Sequence, residues 1–199
     1  MKVFVELRPC ASMIKRAFDL LLGVVALVIL ALPVVLIGVL VRVTSKGPVL
    51  YWSDRVGIDN RIFKMPKFRT MQVGVPTVAT HLLVNPVAHL TPIGAFLRKS
   101  SLDELPQLWS ILRGDMSFVG PRPALYNQLD LIELRTQCGV HRLAPGLTGW
   151  AQINGRDELP IPEKVALDLE YVNRRTFYLD IKIIFLTILK VVRREGISH

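Results

Sequence analysis

A chain of 199 residues, 51% of them hydrophobic, is long enough for one folded unit with its own core. Only 21% of residues are charged and mean hydropathy is +0.39, which excludes disorder along the whole chain. The net charge of +9 is lopsided: residues 1–100 hold 13 basic and 4 acidic side chains, residues 101–199 hold 12 of each, so basicity and apolarity share the first half.

That pairing points to an anionic bilayer surface rather than nucleic acid, whose binders interleave aromatic and basic residues. Cys10 and Cys138 lack CxxC spacing and read as reduced thiols in a cytosol-facing protein. The first apolar run is too long for a signal peptide and no small-x-small cleavage site closes it.

From Leu20 to Val41 there is no charge. As a helix these 22 residues reach about 33 Å, enough to cross a hydrocarbon core of about 30 Å. Two features predict another shape. Lys15 and Arg16 precede the run and Arg42 and Lys46 follow it, so the positive-inside bias asks for both ends on one side. Pro33 removes a backbone hydrogen bond near the middle and clashes with the carbonyl of Ile29. The expectation is a re-entrant helix-break-helix anchor over residues 13–46, with the break at Pro33 and a cytoplasmic-face domain over 47–199.

Val49 to Ser53 and Arg61 to Thr70 flank the turn-rich Gly57-Ile58-Asp59-Asn60 and predict a β-hairpin with Pro66 on an edge. Residues 72–90 read as a loop with at most a short helix. Thr91-Pro92 predicts a helix start, and a second helix follows from near Asp103 to Leu112, stopped by Gly114. A third spans about Pro162 to Asn173. From Asp180 to Arg194, Ile181, Ile184, Phe185, Ile188, Leu189 and Val192 fall on one helical face, which fits an amphipathic helix on a bilayer and equally a core-facing helix. The fold class is α+β, mostly helical, with a re-entrant anchor, a small hairpin and amphipathic interfacial helices.

Phosphate loops, GxGxxG, HExxH and GxSxG are absent from the sequence, and its four histidines are scattered. The segment Arg98-Lys99-Ser100-Ser101-Leu102-Asp103-Glu104 sets two carboxylates behind two cations at a helix start. Such a pair can bind Mg²⁺, or one member can attack phosphorus. The structural alternative is a capping box, Ser101-x-x-Glu104. Downstream, Arg122 is pinned between Pro121 and Pro123, a pre-oriented guanidinium or a rigid surface turn. Pro145 to Arg156 adds three glycines, a tryptophan and an arginine, which suits a nucleotide-binding loop or a turn around a buried Trp150.

The elements KFRTM (67–71), LTPIGAFLRKSSLDELPQLWSILRGDMSFVGPRP (90–123) and PGLTGWAQINGR (145–156), behind a basic-flanked apolar segment, resemble the bacterial sugar transferase family of monotopic phosphoglycosyl transferases. The likeness covers residues 14–195 and fits the minimal-length branch, including members that initiate protein glycosylation. It implies transfer of a sugar 1-phosphate from a UDP-sugar, diacetylated bacillosamine foremost, to undecaprenyl phosphate with release of UMP at the cytoplasmic face of a bacterial inner membrane. It further implies Asp103 as nucleophile, forming an aspartyl-phosphosugar intermediate, Asp103 and Glu104 as Mg²⁺ ligands, and Lys67, Arg98, Arg122, Arg156 and Asp168 as substrate-binding residues. Lys164 and Asp168 at i, i+4 also suit a plain helix-surface pair. The competing class is a non-catalytic membrane-anchored module that binds anionic lipid.

Overall fold

The computed structural model describes residues 9–75, 85–155 and 159–193. In chain order these form α1 (Pro9–Thr44), a hairpin of β1 (Leu50–Val56) and β2 (Ile62–Phe68), α2 (Gly94–Lys99), α3 (Leu108–Arg113), β3 (Ser117–Val119), α4 (Leu129–Gln137), β4 (Gly146–Thr148), α5 (Trp150–Asn154), α6 (Ile161–Arg174) and α7 (Phe177–Arg193). The molecule is α+β and mostly helical, as expected.

The α1 helix corrects one expectation. It runs unbroken through Pro33, with no interruption between its halves. One lost backbone bond is small beside the many that an apolar helix satisfies internally, so proline here does not end the element. Residues Met13–Thr44 are long and apolar enough to cross a membrane. Their burial is periodic: Asp19, Gly23, Ile37 and Val41 are buried, Ala26, Leu30 and Val34 half-buried, and the outward residues between them are exposed. Leu22, Ala26 and Leu30 pack on a core built around Ile111, Met116, Phe118 and Ile183, whereas Ile37 and Val41 pack with Phe68 and Leu97. Both halves of α1 therefore rest on the same folded domain.

Polar clamps hold both ends. Lys15 Nζ donates to Asp180 Oδ2 (2.6 Å) and to the Val119 carbonyl (2.9 Å), and Arg16 donates to the carbonyls of Ile111 and Leu112. At the far end the Arg69 guanidinium donates to the carbonyls of Ser45, Lys46 and Pro48. Tyr171 donates to Asp180 Oδ1 (2.6 Å), tying α6 into the first clamp.

The hairpin pairs Leu50 with Phe68 through Val56 with Ile62, and Pro66 opposes Trp52 on an outer edge, as expected for a two-stranded sheet. β3 and β4 form a short parallel pair. Its backbones approach so closely that a Cβ on Gly146 would sit 2.1 Å from the Gly120 nitrogen, which explains why glycine stands at both positions. The expected loop over 72–90 holds a 3₁₀ turn at Pro86–His89, and residues 76–84 lie outside the described residues.

The expected helix starts also shift. α2 begins at Gly94 without a side-chain cap, and Asp103 lies in a 3₁₀ segment, Leu102–Gln107, that precedes α3. Gly114 ends α3 with φ of 96°, the left-handed stop that its position predicts. In α7 Ile183 is fully buried while Phe185 and Ile188 remain 60% and 56% exposed, so most of the regular apolar stripe faces away from the core.

Candidate active site

Lys67 lies on β2 directly opposite Tyr51, and the 3₁₀ segment carrying Asp103 and Glu104 packs against that strand. Lys67 Nζ donates to Glu104 Oε1 at 2.7 Å, and Arg122 Nη2 donates to the same oxygen at 2.9 Å. The capping box does not form. Ser101 is left-handed, with φ of 56° and no cap hydrogen bond, so Glu104 is released to meet these two cations.

Burial pushes Glu104 up, but Arg122 and Lys67 outweigh it and hold its carboxyl far below the usual glutamate range. Asp103 behaves oppositely. Burial raises its pKa and the adjacent Glu104 adds to the rise, only partly offset by Lys67, Arg98 and Arg122. Neither ion pair of the dyad involves Asp103. One carboxylate is thus locked to cations, while its neighbour lies in their field without a close partner among the described residues.

Arg98 donates from Nε to Thr70 Oγ1 (2.9 Å), which aims this side chain within electrostatic range of Asp103. Arg55, which sequence reasoning missed, donates to Ser53 Oγ and to the Pro123 carbonyl. It lines a small cavity together with Lys67, Glu104, Gln107 and Arg122. The alternation of β1 was the available signal, because Tyr51, Ser53 and Arg55 share one face. Gln107 is 2% exposed and its Nε2 has no hydrogen-bond partner, an orphaned amide at the wall of that cavity.

Asp168, expected among the substrate-binding residues, does not line this cavity. It is 1% exposed on α6 and accepts two bonds from Arg135, from Nε at 2.9 Å and Nη2 at 2.6 Å. Arg135 in turn donates from Nη1 to the Arg122 carbonyl at 2.7 Å. The pair therefore sits one step behind the site and braces the Pro-Arg-Pro turn. A surface pair with Lys164 does not describe it, because Asp168 is buried against Arg135 and Lys164 adds only charge. Arg156 lies outside the described residues.

The dyad can be tested for Mg²⁺ by its donor set. Among the described residues no group of three or more His, Cys, Asp and Glu side chains gathers as a protein-only cage. Mg²⁺ characteristically takes one or two carboxylates and fills its octahedron with substrate phosphates and water, and adjacent carboxylates beside Lys67, Arg98 and Arg122 fit that pattern.

Fold and site together define a class: a domain braced along a long apolar helix, presenting a carboxylate pair ringed by cations. The bacterial sugar transferase family model matches residues 10–194, and the chain belongs to that family. It is 40% identical over 186 residues to the uncharacterized sugar transferase EpsL of Bacillus subtilis, covering 94% of this chain and 91% of that protein. It is 43% identical over 185 residues to the undecaprenyl-phosphate glucose phosphotransferase of Komagataeibacter xylinus, and 37% identical over 200 residues to the undecaprenyl-phosphate galactose phosphotransferase of Salmonella typhimurium. These two matches cover 87% and 92% of this chain but only 35% and 41% of those longer proteins.

Proposed function

We propose that the protein is a phosphoglycosyl transferase, moving a sugar 1-phosphate from a UDP-sugar to undecaprenyl phosphate at the cytoplasmic face of a bacterial inner membrane. The observation that carries this reading is the split dyad, with Glu104 committed to Lys67 and Arg122, and Asp103 buried beside them without a close partner among the described residues. A capping or lipid-binding role requires no such asymmetry. A covalent mechanism does, because one carboxylate must orient cations while the other attacks.

In that mechanism an Asp103 carboxylate oxygen attacks the sugar-side phosphorus of the diphosphate. The bond from that phosphorus to the bridging oxygen breaks, and UMP leaves with the electron pair. An oxygen of undecaprenyl phosphate then attacks the same phosphorus, breaking the acyl-phosphate bond and restoring Asp103. Lys67, Arg98 and Arg122 carry the positive charge that two phosphate-bearing substrates demand. Asp103 and Glu104 would hold Mg²⁺, which when bound neutralises diphosphate charge. The raised pKa of Asp103 suits a nucleophile, since a more basic carboxylate donates its electrons more readily.

The donor in our reading is UDP-diacetylbacillosamine, ahead of N-acetylglucosamine, N-acetylgalactosamine and glucose donors. Relatives named for glucose and galactose put both UDP-hexoses in the test panel. Incubating the full-length protein in lipid with each UDP-sugar, Mg²⁺ and undecaprenyl phosphate, and measuring UMP, should give release with at least one donor. No UMP from any donor would return the lead to an anchored lipid-binding module.

A further inference from the structure

Proline has no N–H, so Pro121 and Pro123 cannot donate to partners that would fix the turn around Arg122, and the chain here is held by its carbonyls. Four successive carbonyls each accept from a different donor. Pro121 accepts from the Gly146 N–H at 2.9 Å, Arg122 from Arg135 Nη1 at 2.7 Å, Pro123 from Arg55 Nη1 at 3.1 Å, and Ala124 from the Val56 N–H at 3.0 Å. Two of these donors are side chains, and they approach from different sides. Arg135 is buried behind the turn with Asp168, whereas Arg55 comes from the hairpin and lines the active-site cavity with Lys67, Glu104 and Arg122.

The β1 strand prepares Arg55 for this contact. Ser53, two residues earlier on the same face and 1% exposed, accepts from Arg55 Nε at 2.9 Å. Nε and Nη1 belong to one planar guanidinium, so the bond to Ser53 dictates where Nη1 meets the Pro123 carbonyl. On the other strand of the same hairpin, Lys67 donates to Glu104 Oε1, the oxygen that Arg122 also reaches. One two-stranded frame thus places both cations, Lys67 directly and Arg122 through its turn.

We infer that Arg55 is a positioning residue for diphosphate recognition: aimed by Ser53, it fixes the Pro123 carbonyl and so sets where the Arg122 guanidinium stands relative to Lys67. The inference rests on the transferase reading and adds to it a residue that acts through Arg122 rather than on the substrate. Groups that grip a ligand together must be held to within about 0.5 Å, which a turn without N–H donors reaches only through its outside partners. The Arg122 side chain is 34% exposed, so the guanidinium being positioned is accessible to a ligand.

Calorimetry on the full-length protein in lipid nanodiscs, titrated with inorganic pyrophosphate in the presence of Mg²⁺, tests the inference without turnover. Arg122→Ala should weaken binding by about tenfold or more, through loss of a charge-assisted contact. Arg55→Gln should weaken it by about fivefold while Arg122 is present, and by less than about twofold in the Arg122→Ala background, where its route to the ligand is gone. Ser53→Ala keeps the Arg55 charge and nearly the serine volume; it should show the same dependence on background at about threefold, and it carries the test if Arg55→Gln unfolds early. Equal losses in both backgrounds would make Arg55 a direct phosphate ligand and overturn the inference. Lowered melting temperatures with unchanged affinity in both Arg55→Gln and Ser53→Ala would overturn it as well, by making the contact purely structural, and so would a wild type that does not bind pyrophosphate. Failure of the transferase reading looks different: it is the absence of UMP release by the wild type from every donor, whatever the pyrophosphate titrations give.

Discussion

At the residue scale, two neighbouring carboxylates receive opposite environments, and that difference is measurable as stability. Glu104 has a depressed pKa in the fold, so its contribution is present above the ordinary glutamate value of 4.5 and is lost as pH falls toward its folded pKa. Asp103 has a raised pKa, so its contribution is fullest below the ordinary aspartate value of 3.8 and is lost as pH rises through its folded pKa. At pH 7.5, Glu104→Gln should lower stability by roughly 3 kcal/mol, because two partly buried cations lose their partner. Asp103→Asn should instead raise the melting temperature while abolishing both turnover and any radiolabelled covalent adduct. Its advantage should shrink as pH falls through the Asp103 pKa, and wild-type activity should fail on acidification at a pH above the ordinary aspartate range. Thermal melts from pH 4 to 8 check the stability outcomes, the activity profile run beside them checks turnover and its acid limit, and radiolabel trapping checks the adduct. A label trapped on another residue in Asp103→Asn would displace Asp103 as nucleophile.

At the scale of elements, α4 and α6 act on the site through one buried pair, Arg135 with Asp168, whose remaining guanidinium donor holds the Arg122 carbonyl. Replacing one partner of such a pair costs about 3–5 kcal/mol, whereas replacing both with apolar residues is often nearly neutral. Asp168→Leu should therefore be strongly destabilised, and Arg135→Met with Asp168→Leu should regain much of that stability. The double variant should still lose activity, because the Arg122 carbonyl then loses the guanidinium donor that holds this part of the turn. Recovery of wild-type kcat/KM along with stability would make the pair purely structural. This brace shows where sequence reasoning stops. The hairpin, the glycine stop of α3 and the proline-started α6 were legible because each depends on local turn and cap chemistry. Asp168 was visible as important through family likeness, but its partner lies 33 residues away and only packing brings them together. The Ser101 capping box failed for a related reason: Glu104 gains more from two cations than from a backbone N–H, and no local window contains Lys67. In α7 the periodicity found the apolar stripe but not the side of it that meets protein.

At the scale of the whole molecule, the decisive relation is between α1 and everything else. A helix that crossed the bilayer would carry one end about 30 Å from the other along the membrane normal. Here Lys15 and Arg16 are tied to Asp180 and to α3, and Ser45 and Lys46 are tied to Arg69, all within one folded domain. Between these clamps a buried stripe continues on both sides of Pro33, from Asp19 and Gly23 to Ile37 and Val41. A spanning orientation would tear one clamp and strip half of that stripe from its partners. On the opposite face Leu21, Val28, Ile29, Leu32 and Val43 are each 68% or more exposed, and residues 20–41 carry no charge, which leaves lipid as the natural solvent of this face. The basic residues flanking the run agree, since both flanks favour the cytoplasmic side. We therefore expect α1 to lie within one leaflet with both ends on the same side, which would hold Asp103 near headgroup depth where a soluble nucleotide and a lipid phosphate can meet. Single cysteines at Met13 and Lys46, in a background with Cys10→Ser and Cys138→Ser, should both react with an impermeant maleimide in inside-out vesicles and both stay protected in right-side-out ones. Labelling from opposite sides would restore a spanning helix and require the clamp at one end to be open in the membrane.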